Sequence, residues 1–258
     1  MSTVIAERMA VEVDGNGDAV VYVHGLGGSS NVFTPQVRAL GNGYRSLRPD
    51  LPGAARSPLG GTLSIASLAD QIARLLQALG MQKAHFVGHS MGTIVCQHLA
   101  VQQPQLVRSL ALFGPILSPP DQARTGLKAR AAKAREEGMA EIADQVAAAA
   151  TSNETKANNL TAIALVRELL MRQSGEGYAA HCEALAAAEA ADLSRINCPV
   201  LLVAGDEDVV APVSMARLMS ERLATARLTV LNRCGHWQTI EKPAESNAAL
   251  KEFLTSRI

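Results

Sequence analysis

The chain has 258 residues, 48% of them hydrophobic, and is long enough for one large α/β domain with a sizeable core. Its 24 basic and 24 acidic side chains cancel, which argues against nucleic acid or a membrane surface as a partner, so we expect a small-molecule ligand. The sequence shows no apolar signal segment or membrane span, and its four scattered cysteines form no C-x-x-C pair. We therefore expect a cytoplasmic protein with reduced thiols.

Strand and helix patterns alternate along most of the chain. The stretch RMAVEVDGNGDAVVYVHG predicts two strands joined by a turn at Gly15 to Gly17, and YRSLRPD predicts a third, weaker strand. A helix is expected in SIASLADQIARLLQALG, with Ser64 as its N-cap and Gly80 at its end. Further strands are predicted at AHFVGHS, LVRSLALFG, CPVLLVAG and ARLTVLN, with helices after Ser90 and at VSMARLMSERLA. This alternation predicts an α/β fold with a mostly parallel central sheet and helices on both faces.

One long segment lacks strand patterns. Residues 117–196 are rich in Ala, Glu, Arg and Leu and predict helices only. A segment that leaves a parallel sheet at the carboxyl ends of its strands lies where ligands bind. We therefore expect a helical lid inserted late in the sheet at 117–196, over a core made of residues 1–116 and 197–258.

The pattern G-x-S-x-G occurs once in a favourable context, as Gly88-His89-Ser90-Met91-Gly92 between a strand and a helix. At such an elbow the serine adopts a strained conformation, and side chains at the flanking glycines would collide with backbone. The turn raises the Ser90 hydroxyl above the sheet and points the Met91 amide toward a developing oxyanion. Ser90 is therefore the predicted nucleophile.

A serine nucleophile needs a base, and the base needs an orienting acid. His236 follows the last predicted strand, and Asp206 and Asp208 lie in the loop after the preceding one. The chain order of serine, acid and histidine is that of α/β hydrolases. We expect His236 as the base and Asp208 as the acid, because two spacer residues let Asp208 reach back toward the histidine loop. Asp206 stays open as the alternative.

A second glycine-rich loop, HGLGG at residues 24–28, follows a predicted strand and offers the Leu26 amide as the other oxyanion donor. It matches neither G-x-G-x-x-G nor the P-loop pattern, so we expect no nucleotide cofactor. His85 and His89 lie about 13 Å apart on one strand and cannot share a metal ion. We expect neither a metal nor a cofactor.

Together, HGLGG, GHSMG, GDED and GHW with EKP resemble the α/β-hydrolase superfamily over nearly the whole chain. The segments EEGMAEIAD, GYAAHCEAL and INCPVLLVAGDEDVVAP are most similar to 3-oxoadipate enol-lactonases. The resemblance implies Ser90, Asp208 and His236 as the triad, with Leu26 and Met91 as oxyanion donors. Two features depart from the family pattern. Ala55 stands where the family's G-x-G-x-S has glycine, and an alanine run at 147–150 replaces aromatic residues of the lid.

These observations predict a serine hydrolase that cleaves a small ester or lactone, with 3-oxoadipate enol-lactone as a candidate substrate. A carbon–carbon bond hydrolase, a cofactor-free haloperoxidase-like enzyme and a non-catalytic receptor with the same fold are the alternatives. A carboxylated substrate needs a cation near the pocket, because burying an unpaired charge is costly. We expect at least one arginine to serve, from the set Arg56, Arg124, Arg130, Arg135, Arg167 and Arg172.

Overall fold

An eight-stranded sheet forms the centre of the protein, and the computed structural model describes residues 2–256 of the chain. Met1, Arg257 and Ile258, which belong to the predicted core segments, lie outside the described residues. The strands are β1 (Ser2–Ala6), β2 (Met9–Asp14), β3 (Asp18–Val23), β4 (Tyr44–Pro49), β5 (Ala84–His89), β6 (Val107–Phe113), β7 (Val200–Gly205) and β8 (Ala226–Leu231).

Helices occupy most of the connections between these strands. They are α1 (Thr34–Leu40), α2 (Ile65–Ala78), α3 (Met91–Gln102), α4 (Asp121–Glu137), α5 (Ala140–Ala149), α6 (Asn153–Asn158), α7 (Leu160–Met171), α8 (Gly175–Ala186), α9 (Val213–Arg222), α10 (Gln238–Glu241) and α11 (Pro243–Thr255). Within residues 2–256, none of these helices is both long and apolar enough to span a bilayer.

The strands lie in the order β1-β2-β4-β3-β5-β6-β7-β8. Strands β1 and β2 run antiparallel to their neighbours, whereas β4, β3 and β5 to β8 are parallel to one another. Every residue of β5 and of β7 is buried, so both faces of the sheet are covered at its centre. The predicted α/β fold with a mostly parallel sheet is confirmed.

The edge of the sheet at β1, β2 and β4 differs most from the sequence prediction. The pattern at the N-terminus did not identify β1, which lies at the edge and leaves Ile5 exposed. Strand β4 appears weak in sequence because it carries Arg48, yet this side chain is buried and pairs with Asp14 at 2.9 Å. The glycine turn at 15–17 leads β2 into β3, but β4 lies between them in the sheet.

Helix α2 follows its sequence signals closely. The Ser64 hydroxyl accepts a hydrogen bond from the Ser67 amide, and the Ser67 hydroxyl accepts one from the Ser64 amide. Gly80 follows the last turn in a left-handed conformation with φ +69°. The predicted N-cap and helix end are therefore confirmed.

Helices α4 to α8, residues 121–186, form a helical insert between β6 and β7. Helix α4 packs against α8, and α5 packs against α7, so the insert has its own interior. All residues from 117 to 196 are described, and they contain no strand. The boundaries of the lid and core segments stay predictions.

Candidate active site

Ser90 lies at the junction between β5 and α3 in a conformation that few non-glycine residues adopt. Its φ is +54° and its ψ is −122°. Neighbouring backbone crowds this turn: a Cβ on Gly88 would come within 2.8 Å of the Gly92 carbonyl oxygen, and one on Gly25 within 2.7 Å of the Ser90 Cβ. A Cβ on Gly92 would overlap the Val23 carbonyl oxygen. The glycines therefore allow the strained turn to pack against the β3 loop.

The structure brings the predicted serine, histidine and one of the two aspartates together. His236 Nε2 lies 2.8 Å from Ser90 Oγ, and His236 Nδ1 lies 2.8 Å from Asp208 Oδ2. Asp206 instead accepts a hydrogen bond from the Cys234 amide at 3.1 Å, on the main chain of the histidine loop. Of the two aspartates, Asp208 therefore contacts His236, whereas Asp206 contacts the main chain of the histidine loop.

Asp208 is buried, but both of its carboxylate oxygens accept hydrogen bonds. Oδ1 accepts from the amides of Val210 and Ala211, both at 2.8 Å, and Oδ2 also accepts from the Gln238 side chain at 3.1 Å. Burial tends to raise the pKa of Asp208, but the opposing charge and hydrogen bond of His236 together with the two amides hold it below its usual value. The carboxylate therefore stays ionised and fixes the Nδ1 proton of His236.

The predicted oxyanion donors Leu26 and Met91 lie in the two loops next to Ser90. Met91 is the first residue of α3, where helix amides lack an intrahelical partner, and Leu26 lines the pocket. The Gly28 amide closes a turn on the Gly25 carbonyl at 3.0 Å. Gln173 of the insert donates to the Gly28 carbonyl at 3.1 Å, so the insert supports this loop.

Ala55, which stands where the family pattern has glycine, occupies the left-handed region with φ +46°. Its amide donates to the Gln173 side chain at 3.2 Å. One side chain of the insert therefore contacts both the Ala55 loop and the Leu26 loop. This left-handed conformation costs alanine roughly 1 kcal/mol more than it costs glycine.

His89, which the sequence identified only as a neighbour of the nucleophile, packs between His236 and Trp237 with ring centroids 5.0 Å from each. Its Nε2 donates to the His236 carbonyl at 2.8 Å. Burial, followed by the neighbouring charge of His236, lowers the pKa of His89 to about 3. His89 is therefore neutral and holds the histidine loop. Its position directly before Ser90 was the only sequence signal for this role.

A pocket of about 490 Å³ opens above Ser90 and His236. Its walls are mostly apolar, and the helical insert supplies several of them. The apolar side chains include Ile116, Leu127, Val146, Leu185, Met215 and Trp237. Within residues 2–256, no cluster of three or more His, Cys, Asp or Glu side chains is arranged to hold a metal ion. The site therefore offers a small ligand walls that are mostly apolar.

The candidate arginines separate clearly by location. Four of them bind acceptor groups of the protein. Three form ion pairs: Arg56 with Asp50 and Glu12, Arg135 with Glu176 and Glu183, and Arg167 with Asp144. The fourth, Arg124, donates hydrogen bonds to three backbone carbonyls. Of the six, only Arg130 lines the pocket. Arg172, at the end of α7, is exposed and does not line it.

Arg130 is half-buried beside Tyr178. Burial raises the pKa of the Tyr178 hydroxyl, and the positive charge of Arg130 acts in the opposite direction. No carboxylate within residues 2–256 forms an ion pair with Arg130. The pocket thus holds a cation whose charge is not neutralised by a neighbouring acid.

Comparison with known proteins shows the family of this chain. The family model described as alpha/beta hydrolase fold matches residues 18–157, which is more than half of the chain. The chain belongs to the α/β-hydrolase family. A second model, described as TAP-like protein, matches residues 170–257 of this hydrolase.

Individual relatives cover almost the whole hydrolase. It is 30% identical to a Caulobacter protein named "Putative carbamate hydrolase RutD", over 92% of this chain and 90% of the relative. It is 26% identical to 3-oxoadipate enol-lactonase 1 of Acinetobacter baylyi, over 97% and 94%. The crystal structure of the enol-lactonase from Burkholderia xenovorans superimposes with a TM-score of 0.91 at 26% identity, over 99% of this chain and all of that one. The resemblance to enol-lactonases is confirmed, and the chain is a hydrolase.

Proposed function

We propose that this hydrolase cleaves a small carboxylic ester or lactone by acyl transfer through Ser90. The observation that carries the proposal is the pair of 2.8 Å contacts that link Ser90 to His236 and His236 to Asp208 beneath the pocket. Since Asp208 holds the proton on Nδ1, Nε2 of His236 has a free lone pair directed at the Ser90 hydroxyl. This is the tautomer that a general base requires.

In the first half of the reaction, Ser90 Oγ attacks the substrate carbonyl carbon while His236 takes the hydroxyl proton. The Leu26 and Met91 amides donate to the resulting oxyanion. The bond to the leaving oxygen then breaks, and His236 returns the proton to that oxygen. In a lactone the leaving alkoxide stays attached to the acyl group, so ring opening yields a single acyl-enzyme.

In the second half, water attacks the acyl-enzyme and His236 accepts a proton from that water. Collapse of the second tetrahedral intermediate releases the carboxylic acid, and the proton passes back to Ser90. The helical insert acts as a lid in this scheme because its side chains form the apolar pocket wall above Ser90. Exclusion of bulk water strengthens the oxyanion hydrogen bonds.

We further propose that the substrate carries a carboxylate, as the enol-lactone of the 3-oxoadipate type does, and that Arg130 binds it. Arg130 supports this assignment because it lines the pocket and forms no ion pair with a protein carboxylate in residues 2–256. A guanidinium can donate two parallel hydrogen bonds to a carboxylate. Such charge-assisted bonds contribute roughly 1.5 to 3 kcal/mol, or about 10- to 100-fold in affinity.

The experiment is a substrate panel of short esters, simple lactones, enol-lactones and a carbamate, with Ser90→Ala as the blank. Wild-type hydrolysis of an ester or lactone that Ser90→Ala lacks supports the acyl-enzyme scheme. Hydrolysis that persists in Ser90→Ala contradicts it. The carbamate is included because one relative is named a carbamate hydrolase.

A matched pair of substrates, one carboxylated lactone and its methyl ester, tests Arg130 separately. Arg130→Gln should lower kcat/KM for the carboxylate by about 10- to 100-fold and leave the methyl ester within a few-fold. Arg172→Gln, which removes an arginine of the insert outside the pocket, is the control and should change neither value. Equal kcat/KM for both substrates in wild type would reject a carboxylated substrate while leaving the Ser90 mechanism intact.

A further inference from the structure

The loop that carries His236 is held by a buried carboxylate outside the triad. Glu241, the last residue of α10, is only 6% exposed. Its Oε2 accepts hydrogen bonds from the Ser152 amide at 2.7 Å, the Thr155 hydroxyl at 2.8 Å and the Gly235 amide at 3.2 Å. Its Oε1 accepts one from the Trp237 amide at 3.0 Å. The carboxylate thus receives four donors from two separate parts of the chain.

These donors flank His236 on both sides. Gly235 and Trp237, its immediate neighbours, both donate their amides to Glu241, and the His236 amide itself donates to the Ala150 carbonyl at 2.8 Å. The His236 carbonyl accepts from His89 Nε2. The backbone polar groups around the histidine are therefore fixed by segments that lie outside its loop.

The other two donors to Glu241, Ser152 and Thr155, belong to the junction between α5 and α6 of the helical insert. We define residues 150–155 as the insert junction. Space there is limited, because a Cβ on Gly235 would come within 2.7 Å of the Ser152 amide nitrogen and 2.8 Å of the Ala150 carbonyl oxygen. The histidine loop and the insert junction are packed directly against each other, with Glu241 between them.

We propose that Glu241 is a positioning residue that couples the packing of the insert junction against the histidine loop to the alignment of the His236 imidazole with Ser90. The proposal rests on the function proposed above, in which His236 is the base. A carboxylate suits this place because both of its oxygens only accept hydrogen bonds, so it can satisfy four donors at once. Its loss would leave buried amides unpaired and free the main chain on either side of His236.

Glu241→Gln removes the negative charge of this side chain and keeps its size and shape. The amide oxygen can replace Oε2 and keep three donors, which leaves the amide NH₂ group facing the Trp237 N–H. Two donors then oppose each other directly after His236. We expect the imidazole to shift relative to Ser90 and kcat to fall by about 10- to 100-fold, because small misplacements of a catalytic group have effects of this size. KM should stay within about threefold, since Glu241 does not line the pocket.

The matched control is Glu207→Gln. Glu207 accepts a hydrogen bond from the Asn153 amide at 2.7 Å, so it also contacts the insert junction, but its side chain makes no hydrogen bond to residues 235–237. This variant should retain the wild-type kcat. A fall in kcat of the same size in both variants would overturn the proposal, because it would indicate a general effect of loosening the insert.

The second readout does not depend on turnover. The proton on His236 Nδ1, hydrogen-bonded to buried Asp208, is followed by its downfield ¹H NMR resonance. We expect this resonance to shift or broaden in Glu241→Gln and to be unchanged in Glu207→Gln. An unchanged resonance together with wild-type kcat in a folded Glu241→Gln protein would overturn the proposal. If instead the substrate panel fails but the resonance responds as expected, the proposed reaction fails and the positioning role stands.

Thr155→Val keeps the test decisive if Glu241→Gln does not fold. This change removes one donor to Glu241 and the acceptor of the Ser152 hydroxyl, and it leaves the carboxylate in place. It should lower kcat by a few-fold and shift the same resonance in the same direction. Wild-type values for both measurements would overturn the coupling between the insert junction and His236.

Discussion

Replacement of Asp208 by asparagine tests whether the contact between Asp208 and His236 Nδ1 sets the tautomer of His236. The two oxygens of Asp208 have different surroundings: two backbone amides donate to Oδ1, while His236 Nδ1 and the Gln238 side chain donate to Oδ2. In Asp208→Asn, the amide oxygen should face the two backbone N–H groups, which cannot reverse. The NH₂ group must then face His236.

This orientation reverses the tautomer of His236. With a donor opposite Nδ1, the imidazole carries its proton on Nε2, and Nε2 can no longer accept the proton of Ser90 at the observed 2.8 Å contact. The equivalent substitution in a serine protease lowers kcat by about 10⁴-fold. That factor corresponds to about 5.5 kcal/mol of lost transition-state stabilisation. We expect a loss of the same order here.

The assay is steady-state hydrolysis of the best ester or lactone of the panel, with circular dichroism to check folding. Asp206→Asn is the control, because among the described residues its carboxylate accepts a hydrogen bond only from the Cys234 amide, and an amide oxygen can accept that bond. It should retain activity within about tenfold. A folded Asp208→Asn enzyme with activity within tenfold of wild type, or a larger loss in Asp206→Asn, would refute the assignment of Asp208 as the acid.

Two further predictions concern stability. Burial, aided by nearby His24, lowers the pKa of His181 to about 4, so below about pH 6.5 the unfolded state binds more protons than the folded state. This one group should therefore lower the free energy of unfolding by about 2 kcal/mol from pH 8 to pH 5. In urea titrations, the free energy of unfolding of His181→Gln should fall by about 2 kcal/mol less than that of wild type over the same pH range. The same fall in both proteins would contradict the prediction. Gly92→Ala should unfold or inactivate the protein, since its Cβ would overlap the Val23 carbonyl oxygen. Gly126→Ala, in open space on α4, should instead raise the free energy of unfolding by about 0.5 to 1 kcal/mol in the same titration. A destabilised Gly126→Ala would show that this helix position needs glycine.

Much of the fold and part of the site could be predicted from the sequence because they depend on nearby residues. The cap and end of α2 are set by Ser64, Ser67 and Gly80 within the helix itself. The elbow at Ser90 is set by a strand, a tight turn and a helix that are contiguous in the chain. Such features follow from backbone geometry and side-chain size over a few residues.

The order of strands could not be predicted in the same way. The sequence indicated β2, β3 and β4 as strands, but not that β4 lies between the other two, nor that β1 adds an edge to the sheet. Strand pairing depends on which hydrophobic surfaces meet when the whole chain folds. The pair of buried Arg48 and half-buried Asp14 exists only after β4 and β2 become neighbours.

The family of this chain, and Ser90 and His236 as its candidate nucleophile and base, could be predicted from motif and chain order alone. Three features became visible in the folded chain alone: Asp208, not Asp206, contacts His236, Arg130 alone of the six arginines lines the pocket, and Glu241 holds the histidine loop. The physical reason is the range of the contacts. His236 is 146 residues from Ser90 and 28 from Asp208, so a difference of two residues in a loop is resolved only when packing fixes each side chain in space.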